Sequence, residues 1–68
     1  MDGFRYPTDI WFFGRPYSIK CFVTKDGVEY AVYREIEIGV EQAFTENTFR
    51  YHEHYGNVER RVAYEKSH

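Results

Sequence analysis

His52 and His54 stand one residue apart in Tyr51-His52-Glu53-His54, with Glu59 five residues further on. Side chains two apart on a strand share a face. Two imidazoles so placed could meet one metal, and Glu59 could complete a two-histidine, one-carboxylate set. Arg50 and Arg61 fall on that same face, where their charges oppose a divalent cation, so no metal is expected.

The same residues can be read for nucleic acid. Arg50, His52 and Arg61, with Lys66, make a short basic strip, and aromatics on a sheet can stack unpaired bases. Glu59 and Glu65 dilute the strip. The chain as a whole, with Lys+Arg 9 against Asp+Glu 11, carries a net charge of −2 and no basic field. A nucleic-acid face on Arg50, His52 and Arg61 is therefore the alternative reading.

Catalysis has less behind it. Cys21 is the one cysteine, and with a histidine it could act as nucleophile and base. Its place in an alternating apolar run makes it an inward-facing small hydrophobe instead. There is no glycine-rich phosphate loop and no helical metal motif, so the chain is not expected to be an enzyme or to need a cofactor.

Large apolar side chains with no obvious burial point elsewhere. Ile10-Trp11-Phe12-Phe13 places four in succession. A strand sends neighbours to opposite faces, so a two-layer domain buries about half of them. Downstream, Glu35-Ile36-Glu37-Ile38-Gly39-Val40-Glu41 is acidic and holds no basic residue. Trp11, Phe12 and Phe13 are thus the expected apolar anchors of a protein contact, flanked by Glu35, Glu37 and Glu41. Aromatic residues bring large contact area at low entropic cost.

The elements that must position these residues follow from pairing. Asp26-Gly27 suits a two-residue hairpin loop, whose central residues both need positive φ. Across it Val23 faces Tyr30, Cys21 faces Val32, Ile19 faces Arg34 and Tyr17 faces Ile36. Phe22 faces Ala31 on the other side. Gly56-Asn57 gives a second hairpin over residues 49–65, in which Tyr55 faces Val58, Glu53 faces Arg60, Tyr51 faces Val62 and Phe49 faces Tyr64. That register makes one face aromatic and leaves His52 and Arg61 exposed. Between the hairpins, Val40, Ala43 and Phe44 at i, i+3 and i+4 predict a short helix ended by Asn47. The competing reading continues the strand to a turn at Glu46-Asn47.

The expected fold is a single domain over residues 1–68 of the β-rich α+β class. It consists of two antiparallel β-hairpins joined by a short helix, with the N-terminal segment as an edge strand or cover; an all-β meander is the alternative. Tyr 7, Phe 6 and Trp 1 make 21% of the chain, more than 68 residues can bury. No apolar run approaches the roughly 20 residues of a membrane-spanning helix, and no signal-peptide core follows Met1. A soluble cytoplasmic protein is the expectation. Composition and pattern together favour a non-catalytic module that binds another protein, as a small inhibitor or adaptor occluding a larger partner's surface, or that binds itself as a homodimer.

Overall fold

A computed structural model of the chain describes residues 4–61. Five strands and one helix follow in the order β1 (Asp9–Phe12), β2 (Arg15–Lys25), β3 (Val28–Glu35), β4 (Glu41–Phe44), α1 (Glu46–His54) and β5 (Val58–Arg60). The strands form one sheet, ordered β4-β3-β2-β1-β5, in which every neighbouring pair is antiparallel. The chain is thus a β-rich α+β domain. It is not an all-β meander, because α1 carries it across one sheet face from the β4 edge to the β5 edge.

The β2–β3 pairing turns on Asp26 and Gly27, whose φ values are +54° and +79°. Near the loop the partners are those expected, Val23 with Tyr30, Phe22 with Ala31 and Cys21 with Val32. Beyond it the register shifts between Ile19 and Cys21, so Ile19 meets Tyr33 and Tyr17 meets Glu35, in place of Arg34 and Ile36. The cause lies in the packing. Without an extra residue at Lys20, strand alternation would point Lys20 and Ser18 at the helix. The bulge brings Ile19 and Tyr17 there instead, Tyr17 into the core and Ile19 against it.

The helix is not where the apolar spacing placed it. Val40, Ala43 and Phe44 do not share a helical face; residues 41–44 are β4, paired with Arg34 to Ala31. The chain reverses through residues 36–40, and there is no turn at Glu46-Asn47. Helix α1 begins one residue after Thr45, whose Oγ1 accepts from the Thr48 N–H at 3.2 Å as an N-cap, with Glu46 in the first turn. Thr45→Ala is expected to cost about 1 kcal/mol, measured as a shift in urea midpoint at unchanged slope.

The second hairpin is also replaced. Residues 49–54 are helical, and Gly56 (φ +82°) ends the helix. The Asn57 N–H donates to His52 O and the Gly56 N–H to Glu53 O. This is the 6→1 and 5→2 pair of a Schellman motif, so Gly56-Asn57 joins a helix to β5 and does not join two strands. The expected partners Val62, Tyr64 and Glu65 lie outside the described residues. Glu53 and Arg60 do meet, from helix to strand, through contacts of 2.6 and 3.2 Å.

Nor is the N-terminal strand an edge. β1 lies between β2 and β5, and only the preceding residues act as a cover: Phe4 and Tyr6 pack edge-on against Phe49. The core between helix and sheet holds Ile10, Tyr17, Ala31, Tyr33, Phe44, Phe49 and Val58. Tyr33, buried and therefore held protonated well above the ordinary tyrosine range, donates to the Pro7 carbonyl at 2.6 Å. The face carrying Cys21, Val23 and Trp11 is the one away from α1. Cys21 is accordingly exposed, not inward-facing.

Candidate functional site

β1 and β2 are joined by a two-residue loop, since Phe12 pairs with Arg15. Its residues, Phe13 and Gly14, have φ of +51° and +78°. These nearly repeat the angles at Asp26-Gly27, and both loops fit the type I′ form that right-handed strand twist favours. Asp and Gly suit such angles. A phenylalanine in the left-handed region is a steric outlier, and Phe13 is also 64% exposed.

Around Phe13 the topology gathers more aromatic surface. The Phe13 N–H donates to Asn57 O at 2.8 Å, tying the loop to the end of α1. The His52 ring lies beneath, 5.2 Å from Phe12 and from Tyr51 and 6.1 Å from Phe13. The Asn57 side-chain amide sits 3.0 Å from His52 Nδ1, a contact that orients the imidazole between the loop and the helix end. Tyr51 and Tyr55, four apart on the helix, pack at 4.9 Å and are exposed. The sequence pattern did not single them out as contact residues, although on a helix the i, i+4 spacing places them on one stripe.

Of the expected anchors, alternation separates Trp11 from Phe12. Phe12 turns towards the helix and packs against the core. Trp11 lies on the opposite face, 40% exposed, with the Arg61 guanidinium 4.9 Å from its ring centre. Only Phe13 is both at the loop tip and open to solvent.

The acidic flank divides as well. Glu35 is fully buried. It accepts from the Ile38 N–H and faces Arg15 at 3.3 Å, so it organises the 36–40 turn and offers nothing to a partner. That N–H and the Arg15 guanidinium hold its carboxyl below the ordinary range, against the opposing effect of burial. With a lowered folded-state value, its stabilising contribution is complete above the unfolded carboxylate range and lost as pH falls through the folded value. Glu35→Gln is therefore expected to flatten the acid limb of the stability curve, read from denaturant midpoints below about pH 5. Glu37 is exposed and 3.6 Å from Arg15, beside the Phe13 loop. Glu41 stands on the other face, bonded to Lys20 at 2.7 Å.

Arg50, His52 and Arg61 do not make one face. Arg50 bonds Glu46 at 2.9 Å and covers the Phe4 ring at 4.6 Å. His52, two residues on, is turned about 200° around the helix. Arg61 stacks on Trp11 across the sheet. His52 and His54 are separated by the same helical rotation, and among the described residues no three histidine, cysteine, aspartate or glutamate side chains are grouped to hold a metal. No described helix is long and apolar enough to cross a membrane. Comparison of the chain with protein-family models, with curated proteins and with solved structures found no match.

Proposed function

We propose that the protein is a non-catalytic binding module that contacts another protein through the sheet end carrying Phe13, Tyr51 and Tyr55. In its finer form the reading makes it a small inhibitor or adaptor that occludes a surface of a larger partner. The observation that carries it is the contrast between two loops of matching φ angles. One uses Asp26-Gly27 and the other Phe13-Gly14, so at position 13 a residue unfavourable for the loop stands where it adds exposed aromatic area. Strain held at an exposed position points to use, and aromatic residues, phenylalanine included, are enriched at the cores of protein interfaces.

The dispersal of Arg50, His52 and Arg61 counts against the nucleic-acid alternative. The test is capture of partners from a native lysate by wild type, Phe13→Asn, Tyr55→Ser and Arg50→Ala at low and high salt. Loss with Phe13→Asn and Tyr55→Ser, retention with Arg50→Ala and weak salt dependence are expected. Loss with Arg50→Ala alone and steep salt dependence would favour nucleic acid.

A further inference from the structure

We infer that, without another partner, the surface around Phe13 is covered by a second copy of the same chain related by a two-fold axis; this rests on the binding role proposed above. Three features of the fold argue for self-association.

The first is area. The β1–β2 loop, the 36–40 turn and the last turn of α1 all lie at one end of the sheet, because β1 ends, β3 ends and β5 begins there. Phe13, Ile36, Ile38, Tyr51 and Tyr55 are each between 56% and 64% exposed. At about 200 Å² for a large side chain they present roughly 600 Å², the larger part of the roughly 800 Å² per partner of a standard stable interface.

The second is charge. A two-fold contact sets the same patch against itself, so each charge must find its opposite on that patch. Arg15 and Glu37 supply both signs. They are 50% and 71% exposed and only loosely paired, at 3.6 Å, while Arg15 also faces the buried Glu35 at 3.3 Å. Across the axis Arg15 of each copy can reach Glu37 of the other, giving two reciprocal pairs. The third is size. A chain of 68 residues with no internal disulfide has a marginal core, and association is one of the few means of enlarging it.

Sedimentation equilibrium over micromolar to millimolar concentrations tests this, with far-UV circular dichroism confirming that each variant is folded. Wild type is expected to dimerise. Phe13→Asn and Glu37→Arg are each expected to weaken the dimer at least tenfold, the latter by setting like charges against both Arg15 side chains. Lys25→Glu, at the opposite end, is expected to leave it unchanged. A wild-type chain that stays monomeric, or a dimer indifferent to Phe13→Asn and Glu37→Arg, overturns the inference. If the chain is monomeric yet still captures another protein through Phe13, the binding role survives and the dimer does not. Monomeric behaviour with no Phe13-dependent capture removes both.

Discussion

Replacing Phe13 with asparagine is expected to raise folding stability by about 0.5–1 kcal/mol while removing the protein contact. A non-glycine side chain in the left-handed region costs about 1–2 kcal/mol, and asparagine is among the residues that tolerate it best. Against this gain stand the lost edge contacts of Phe13 with Phe12 at 4.7 Å and with His52 at 6.1 Å. Being largely exposed, these recover only part of the roughly 0.5–1.5 kcal/mol seen for packed aromatic pairs. On binding the sign reverses. A central aromatic anchor often carries about 2 kcal/mol or more, about a thirtyfold loss of affinity. Stabilisation together with lost binding is a combination that a residue kept for packing cannot give. The measurement pairs urea midpoints with binding or sedimentation on the same two proteins. A destabilised variant that binds normally would make Phe13 a packing residue and remove the main support for this surface.

How far the sequence could be read depends on which signals have one meaning. Asp26-Gly27 between two alternating runs has one, and the β2–β3 partners near the loop follow it. The bulge at Lys20 was not legible, because nothing local to Ile19-Lys20-Cys21 demands it; the requirement comes from the helix that Ile19 and Tyr17 must face. Gly56-Asn57 has two meanings. A glycine at positive φ serves a type I′ hairpin and a Schellman helix end equally, and the choice rests on the residues before it. Phe49, Tyr51 and Tyr55 alternate as a strand would, yet Phe49, His52 and Glu53 at i, i+3 and i+4 also form a helical stripe. Thr45 before Glu46 is the cap that separates the two readings.

For the candidate site, the excess of aromatic residues and the crowding in Ile10 to Phe13 were visible in the chain. Which of the four would be exposed was not, since that depends on the register of β1 between β2 and β5. Tyr51 and Tyr55 reach the same surface only because α1 ends beside the Phe13 loop.

The helix makes its own sharp prediction, at Phe49. Its side chain is completely buried, with Phe4, Tyr6, Tyr33 and Phe44 within 6.1 Å between ring centres. Phe49→Ala leaves a cavity among those rings and is expected to cost about 3–5 kcal/mol. At about 0.05–0.15 kcal/mol per residue, a domain of this length holds about 3–10 kcal/mol in all, so the variant is expected to lose a large part of its stability and to unfold at a much lower urea concentration. Tyr51 lies two residues away and 57% exposed, and Tyr51→Ala is expected to cost less than about 1 kcal/mol. The contrast is a test of periodicity. On a strand, residues 49 and 51 share a face and suffer alike; on a helix they lie about 200° apart, and only Phe49 reaches the sheet. Urea midpoints for the two variants, with Tyr55→Ala as a second exposed position, decide between these arrangements. Equal losses at 49 and 51 would put this segment back on a strand and dissolve the aromatic surface that Tyr51 and Tyr55 complete.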